Sequence, residues 1–215
     1  MGFEYLTNVP LAQARKEYLE RLVSGGFGSK TETIPVFESC GRVTAKAVYA
    51  HICAPHYAAS AMDGVAVSAK ETFGATETTP VTLRPDQFLV LDTGDPIPED
   101  KDAVIMVEDI VKNGDGSITI HAAAAPWQHI RQIGEDICAG EMILPSHMTV
   151  SPAAIGAMIA GGVLEIEVIR KPVVGIIPTG DEIIPPCTDP KPGDILEFNG
   201  SIFSAMVRSW GAEAV

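Results

Sequence analysis

Residues 171–182 read Lys-Pro-Val-Val-Gly-Ile-Ile-Pro-Thr-Gly-Asp-Glu and join an apolar run to a polar turn. The run Val173–Ile177 is short, unbroken and opened by a proline, which predicts a strand buried on both faces of a parallel sheet. Ligands of open α/β sheets bind beyond the carboxyl ends of the strands, where Thr179–Glu182 supply a hydroxyl and two carboxylates. A solvated turn that leaves a core strand is the alternative, and this pattern by itself leaves both open.

Size and charge narrow the possible functions. The chain has 215 residues, of which 46% are hydrophobic and 20% charged, enough to bury one good core or two small ones. Its formal net charge is -13 and no basic stripe runs along it, which argues against a nucleic-acid surface. A small anionic ligand remains compatible with this charge if backbone N–H groups and a few local cations hold it.

Cysteine and histidine spacing gives no sign of a zinc site. Cys40, Cys53, Cys138 and Cys187 form no C-x-x-C pair, and the five histidines fit no tetrahedral pattern, so we expect reduced, structural thiols in a cytoplasmic protein. We predict no secretory signal. The longest apolar stretch, residues 152–163, falls short of the roughly 20 residues that a membrane span needs.

Start and stop signals predict two helices and one strand. A helical pattern begins near Pro10 and ends at Gly25-Gly26. A second helix follows Ser151, which we predict as its N-cap, and ends at Gly161-Gly162. The alternation over Val163–Ile169 then predicts a half-buried strand that leads into residues 171–182.

The middle of the chain predicts a small all-β domain over residues 50–130. Asn113–Gly116 is a strong hairpin signal, which we expect to join a strand Ala103–Val107 to Ser117–His121. Asp63-Gly64 is a further turn signal that precedes the strand Val65–Val67. This turn either makes a hairpin or holds the Asp63 carboxylate at a fixed point in a cleft.

After residue 182 a proline-rich loop leads to a last helix, Ile202–Trp210, for which Asn199 or Ser201 is the predicted N-cap. One strand, one loop and one helix cannot make a doubly wound sheet, which needs several such units. We therefore expect the chain to stop inside a domain.

Four separate loops carry a carboxylate beside a glycine: Ser60–Gly64, Thr93–Pro98, Arg131–Glu141 and Thr179–Glu182. Taken together and in this order, they resemble the molybdenum-insertase family, the molybdopterin molybdotransferases that include the gephyrin E domain. Any one of these motifs is weak, but their shared order makes coincidence a poor explanation. The matching segments are S-A-M-D-G at 60–64, T-G-D-P-I-P at 93–98, D-A-V at 102–104 with Glu108, R-Q-I-G-E-D-I-C-A-G-E at 131–141, P-T-G-D-E-I at 178–183 and G-D-I-L-E-F-N at 193–199.

The resemblance implies an elongated homodimer with a fold that is α/β plus all-β. It divides the chain into a discontinuous mixed N-terminal domain (1–49 and 131–170), an inserted small β domain (50–130) and the truncated start of an α/β molybdopterin-binding domain (171–215). Members of the family take adenylated molybdopterin and molybdate, release AMP and leave molybdenum on the dithiolene, supported by Mg²⁺. Other molybdenum-cofactor biosynthesis proteins are further candidate partners, whereas nucleic acid and membrane are not.

The resemblance also assigns roles to residues of this chain. Carboxylate oxygens suit Mg²⁺, and Asp181 with Glu182 is the expected metal end of the site. The remaining assignments fall into two groups. Those expected to be catalytic are Asp63, Thr93, Glu108, Glu141 and Asp181, and those expected to bind substrate or cofactor are Ser60, Gly64, Gly94, Arg131, Thr179 and Gly180. For Arg131, pinning its own loop is the alternative to facing an anion.

The chain departs from the family pattern at several points. Val65 stands where the family has tyrosine, Ala58-Ala59 replaces polar or acidic residues, and the glycine-rich segment with the phosphate-gripping lysines is absent from these 215 residues. These differences motivate a second hypothesis, a non-catalytic dimerising or binding scaffold of the same family. A third is an unrelated two-domain protein that binds a sugar or a nucleotide.

Overall fold

The structure, a computed structural model, describes residues 8–28 and 30–215 and is a mixture of helix and sheet. The helices are α1 (Leu11–Ser24), α2 (Ala69–Thr72), α3 (Pro152–Ala160) and α4 (Asn199–Ser209), with 3₁₀ turns at Val36–Glu38 and Val107–Asp109. The strands are β1 (Thr31–Pro35), β2 (Val48–Tyr49), β3 (Ala59–Ser60), β4 (Gly64–Val67), β5 (Val81–Leu83), β6 (Phe88–Leu91), β7 (Ala103–Met106), β8 (Ile110–Lys112), β9 (Ile118–Ile120), β10 (Ile130–Arg131), β11 (Met142–Leu144), β12 (Glu165–Ile169), β13 (Val173–Val174), β14 (Ile183–Ile184), β15 (Ile195–Leu196) and β16 (Glu213–Ala214).

The chain divides into two compact units. The first, which we call the terminal unit, comprises the described residues of Met1–Val48, Leu144–Ile155 and Leu164–Val215. The second, the β unit, comprises Tyr49–Ile143 and Gly156–Val163. The finer division into three domains made from the sequence stays a prediction.

Two small antiparallel sheets build the β unit. In the first, β4 is the central strand of the order β6-β4-β7, with Val65 opposite both Val90 and Ile105. The second has the order β5-β9-β8. Inward-facing side chains of the two sheets share one hydrophobic core, which includes Val65, Val67, Leu83, Ile105, Ile118 and Ile120.

The terminal unit is built on a long antiparallel pair and two short parallel pairs. Strand β1 pairs with β12 from Thr31 opposite Ile169 to Pro35 opposite Glu165. Ile166 and Val168 are buried, which confirms the predicted half-buried alternation. Parallel pairing joins β13 to β16 and β14 to β15.

The helix limits follow their predicted signals. Helix α1 starts at Leu11 after Pro10 and ends before Gly25, as predicted. Ser151 is confirmed as a cap, because its Oγ accepts the backbone N–H of Ala154 at 3.2 Å. Within residues 8–28 and 30–215, no helix combines the length and the apolar character that crossing a bilayer requires.

The turn Asn113–Gly116 joins different strands from those that we predicted. It links β8 to β9, with Lys112 opposite Ile118, and the strand Ala103–Met106 lies in the other sheet. The 3₁₀ turn Val107–Asp109 separates β7 from β8. Apolar residues continue across that turn, so periodicity alone did not reveal the break.

The run Val173–Ile177 is not a strand buried on both faces. Only Val173–Val174 is extended into a strand, and Val173 and Ile177 are 56% and 84% exposed. Its parallel direction agrees with the prediction, but among the described residues it has a single neighbouring strand. One neighbour leaves most of the apolar surface of the run uncovered.

The predicted N-cap of the last helix is also wrong. Helix α4 begins at Asn199, and neither Asn199 nor Ser201 makes a capping hydrogen bond in the part of the chain that the structure describes. The carboxylate of Glu197 accepts the backbone N–H of Gly200 instead. A carboxylate at this position satisfies a free N–H group and complements the helix dipole, which explains why it replaces a smaller cap.

Candidate functional site

The carboxylate of Asp63 is fixed by the loop that carries Thr93. Its Oδ1 accepts the backbone N–H of Thr93 at 2.7 Å and the hydroxyl of Thr93 at 2.8 Å. These two bonds, the backbone one first, lower the pKa of Asp63 below its ordinary value and keep the group ionised at neutral pH. No hydrogen bond from the described residues reaches Oδ2, so one oxygen of an oriented carboxylate remains available.

The turn at Asp63-Gly64 is not a hairpin. Strand β3 on one side of it pairs with β10, while β4 on the other side pairs with β6 and β7. Of the two alternatives for this turn, the structure therefore favours a carboxylate held at a fixed point.

A third loop meets this pair through the backbone. The N–H of Val107 donates to the carbonyl oxygen of Asp63 at 3.0 Å, which places Glu108 on a loop that adjoins Asp63. The Glu108 side chain is exposed, and its carboxylate has no hydrogen bond or ion pair among the described residues. Asp63 and Thr93 are thus in direct contact and Glu108 lies on an adjoining loop, and these three predicted residues are named the acidic cluster below.

Ser60 connects two of these loops through buried hydrogen bonds. The residue is fully buried, its N–H donates to the carbonyl of Asp95 at 2.9 Å, and its carbonyl accepts the N–H of Gly94 at 2.8 Å. Its hydroxyl donates to the carbonyl of Met62 at 2.6 Å. This geometry supports a positioning role for Ser60, whereas we expected it to contact a ligand.

Gly64 is required by a close approach of neighbouring strands. A Cβ added there would lie 2.0 Å from the carbonyl oxygen of Ile105. The glycine is buried at the start of β4 and, as the next residue in the chain, fixes where the backbone of Asp63 lies. Val65, which stands where the resembled family has tyrosine, is 1% exposed and packs in the core, so in this chain it does not line the cluster.

Arg131 pins its own loop, the alternative that the sequence left open. Its Nη2 donates to Asp136 at 2.6 Å and its Nε donates to Glu135 at 3.4 Å. The hydrogen bond and charge of Asp136, with a smaller effect of Glu135, raise the pKa of Arg131. Arg131 also lies opposite Ala59 in the β3–β10 pair, one residue from Ser60.

Glu141 lies at the far end of the same loop. Its carboxylate accepts the backbone N–H of Cys138 at 3.0 Å, and its carbonyl accepts the N–H of Ala50 at 2.9 Å. No hydrogen bond within residues 8–28 and 30–215 connects Glu141 to the acidic cluster. The structure therefore does not join this predicted catalytic residue to the other three.

The remaining predicted residues, Thr179–Glu182, belong to the terminal unit, where all four are exposed. Gly180 has φ of 138°, and a Cβ there would lie 2.7 Å from Oε2 of Glu182, so glycine lets that carboxylate fold back over the turn. Among the described residues no three His, Cys, Asp or Glu side chains gather into a ready metal cage. Asp181 and Glu182 can therefore supply at most two carboxylate ligands to a metal.

A cationic cavity in the terminal unit was not predicted. It has a volume of about 540 Å³, and four basic side chains line it without any acidic residue among the described lining: Arg21, Lys30, Arg170 and Lys171. In a chain of net charge -13 it is a local concentration of basic residues, and apolar residues such as Leu22 and Phe27 complete its lining. The adjacent pair Arg170-Lys171 is a sequence signal that could have indicated it.

The comparison with known proteins covers most of the chain. The family model of the MoeA N-terminal region, domains I and II, matches residues 9–162. This chain belongs to the MoeA family. Within the MoeA match lie the acidic cluster and Glu141, whereas Asp181 and Glu182 lie outside it.

Named relatives of the MoeA family agree with this assignment. Molybdopterin molybdenumtransferase 2 of Mycobacterium tuberculosis is 36% identical over 199 residues, which cover 85% of this chain and 49% of the relative. The molybdopterin molybdenumtransferase of Haemophilus influenzae is 32% identical over 217 residues, which cover 95% of this chain and 53% of the relative. The chain thus spans about half the length of the curated relatives it matches.

Solved MoeA structures share the fold. The crystal structure of a molybdopterin biosynthesis moeA protein from Pyrococcus horikoshii matches with a TM-score of 0.81 at 30% identity, covering 97% of this chain and 56% of that one. A second crystal structure of such a protein from the same organism gives a TM-score of 0.76 at 31% identity and covers 86% of this chain and 54% of that one.

Proposed function

We propose that this chain forms part of a molybdenum insertase, which transfers molybdenum from molybdate to adenylated molybdopterin and releases AMP in the biosynthesis of the molybdenum cofactor. The observation that carries the proposal is the acidic cluster. Asp63, Thr93 and Glu108 come from three separate motifs of the family and meet on adjoining loops of the β unit. The names of the MoeA relatives support the same reaction.

The chemistry of the acidic cluster suits a site that handles phosphate groups with a cation. Thr93 orients Asp63 and keeps it ionised, which leaves one oxygen free to accept a proton or a hydrogen bond from substrate or from a hydrated cation. Glu108 adds a second, unpaired carboxylate on the adjoining loop. Ser60 and Gly64 act by holding these loops in place.

In the terminal unit, the expected Mg²⁺ would be bound partly by protein carboxylates and partly by the substrate. Mg²⁺ is commonly bound by one or two carboxylates together with water and substrate phosphates, so a preformed cage is not needed. Asp181 and Glu182 are adjacent, exposed and without an ion pair among the described residues, and they would hold it. When bound, the ion neutralises charge on phosphate oxygens as the phosphoanhydride is cleaved.

We also propose that the protein works as a homodimer in the cytoplasm, with other molybdenum-cofactor biosynthesis proteins as partners. Helix α1 supports self-association, because none of its described residues is buried. Leu11, Tyr18 and Val23 on this helix are 84%, 63% and 74% exposed. Apolar surface of this kind marks a contact with another chain.

The proposed function is tested by product formation. We expect AMP to be released when the protein receives adenylated molybdopterin, molybdate and Mg²⁺, and omission of molybdate to stop cofactor formation. The assay should use both the 215-residue chain and the longest natural chain that contains it, because the relatives are about twice as long. Absence of AMP release from both chains would contradict the proposal.

A non-catalytic scaffold is the second candidate. The double hydrogen bond from Thr93 to Asp63 favours the scaffold, because the same contact would hold two loops together in a protein without activity. Replacement of Asp63 and Asp181 by alanine separates the candidates. Loss of turnover with an intact fold excludes the scaffold, and unchanged turnover excludes a catalytic role for both carboxylates.

A further inference from the structure

Backbone hydrogen bonds join two segments of the β unit, residues 50–54 and residues 137–141. Ala54 and Ile137 exchange both backbone hydrogen bonds, at 2.8 and 3.1 Å. Ala50 donates to the carbonyl of Glu141 at 2.9 Å and accepts from the N–H of Gly140 at 2.8 Å. Between these contacts, residues 138–141 form a turn in which the N–H of Glu141 donates to the carbonyl of Cys138 at 3.0 Å. Hydrogen bonds at both ends of this turn therefore hold it beside residues 50–54.

The antiparallel bridge between Ala54 and Ile137 makes Cys53 and Cys138 the next pair of residues along the two segments. In an antiparallel ladder, the pair that follows a pair sharing both hydrogen bonds is a non-hydrogen-bonded pair, whose Cα atoms lie about 4.5 Å apart. Disulfides form across Cα separations of roughly 4.4–6.8 Å, a range that includes this spacing.

The two thiols also lie close together. Both sulfurs lie near the point where a Cβ of Gly134 would be, Cys138 Sγ at 3.0 Å and Cys53 Sγ at 3.5 Å. Cys53 Sγ accepts the backbone N–H of Ala139 at 3.3 Å, and the Cys138 thiol donates to the carbonyl of Gly134 at 3.4 Å. Both cysteines are free, with Cys138 exposed and Cys53 partly exposed, so a small oxidant can reach them.

We propose that Cys53 and Cys138 form a reversible intrachain disulfide when the protein meets a low-molecular-weight disulfide such as oxidised glutathione. Two S–H bonds are lost and one S–S bond forms, while the oxidant accepts the two electrons and two protons and leaves as two thiols. The bond fastens the loop 131–141 to the segment 50–54. It thereby restrains the loop that carries Arg131 and Glu141.

Peptide mapping tests the pairing directly. The 215-residue protein is incubated with oxidised glutathione, its remaining thiols are alkylated, and it is digested with trypsin without reduction. We expect one crosslinked species that contains peptides 47–70 and 132–170, with Cys40 and Cys187 alkylated. Addition of a reductant before alkylation should remove the crosslink. Oxidation in a denaturant should abolish the selectivity, because the hydrogen bonds that place the thiols together are then lost.

A stability measurement on matched variants gives an independent readout. Closing a long loop raises the apparent Tm of the oxidised wild type by about 5–15 °C. The rise should persist in Cys187→Ser and disappear in Cys53→Ser and Cys138→Ser. Pairing of Cys53 or Cys138 with another cysteine, glutathione adducts on both thiols in place of a crosslink, or both thiols remaining free would overturn the proposal. Neither readout depends on transferase activity.

Discussion

Replacement of Gly64 by alanine tests how the backbone of the β unit positions Asp63. The new Cβ would lie 2.0 Å from the carbonyl oxygen and 2.9 Å from the carbonyl carbon of Ile105. Both atoms belong to the backbone of the neighbouring strand β7, so a change of side-chain rotamer cannot relieve the contact. Strands β4 and β7 would have to separate, and β4 is the central strand of its sheet.

The expected cost follows from two opposing effects. Overpacking of a buried site costs about 1–3 kcal/mol, and the upper end applies where backbone must move. Alanine in a strand is favoured over glycine by roughly 0.5–1 kcal/mol, which offsets part of that cost. We therefore expect Gly64→Ala to lower the free energy of unfolding of the β unit by about 2–2.5 kcal/mol.

Urea unfolding followed by tryptophan fluorescence measures this change. The chain has two tryptophans, and in a Trp210→Phe background only Trp127, in the β unit, reports. Gly114→Ala is the matched control, because a Cβ there meets nothing within 4 Å. Its free energy of unfolding should stay within about 0.5 kcal/mol of the parent value. A Gly64→Ala midpoint equal to that of the control would refute the close approach of β4 and β7.

Three further predictions concern charge, packing and assembly. Thr93→Val removes one of the two bonds to Asp63, so the pKa of Asp63, followed by NMR titration, should rise part of the way to its ordinary value. Since that pKa is lowered, the stabilisation from these bonds is present above the unfolded-state pKa and is lost as the pH falls through the folded-state pKa. An unchanged pKa of Asp63 in the Thr93→Val variant would contradict the role of the Thr93 hydroxyl. Ile120→Ala should cost about 2–5 kcal/mol in urea unfolding, because the side chain is fully buried, whereas Ile133→Ala, at a position 58% exposed, should cost less than about 0.5 kcal/mol. Equal costs at the two positions would be inconsistent with the core described. Tyr18→Glu should weaken self-association at least about tenfold in sedimentation experiments, since it places a charge on the exposed apolar side of α1; a wild-type association constant would remove this helix from the interface.

Local signals predicted those elements that local interactions determine. Pro10 and Gly25 limit α1, Ser151 caps its helix, and the alternation at Ile166 and Val168 matches their burial. In each case the controlling interaction lies within a few residues or follows from which face of a strand is buried. The sequence contains this information directly.

Features that depend on distant contacts were missed. Partner choice at Asn113–Gly116 depended on a 3₁₀ turn between two apolar strands, and the exposure of Val173–Ile177 depended on how many strands flank it. The proximity of Cys53 and Cys138 depends on hydrogen bonds between two segments more than 80 residues apart, so the scattered cysteines gave no sign of it.

The candidate site was predicted only in part. The family resemblance predicted that Asp63, Thr93, Glu108, Glu141 and Asp181 line one site, and the structure places the first three on adjoining loops. The same resemblance did not indicate that Ser60 is buried or that Arg131 is occupied by Asp136. Motifs identify which residues matter to a family, whereas the role of each depends on contacts that only the folded chain contains.

The rate of AMP release by the Asp63→Asn variant tests the proposed role of the acidic cluster most directly. Asp115→Asn is the matched control, because Asp115 accepts the same pair of bonds from a single residue, the N–H of Ser117 at 3.0 Å and its hydroxyl at 2.6 Å, in a turn away from the cluster. In the longest natural chain that contains these 215 residues, we expect Asp63→Asn to lose activity about 100-fold or more and Asp115→Asn to keep the wild-type rate. The Tm of the two variants should fall by similar amounts, because each loses an ionised carboxylate whose pKa is lowered by the same pair of bonds. Equal rates for the two variants would contradict the claim that Asp63 serves the reaction.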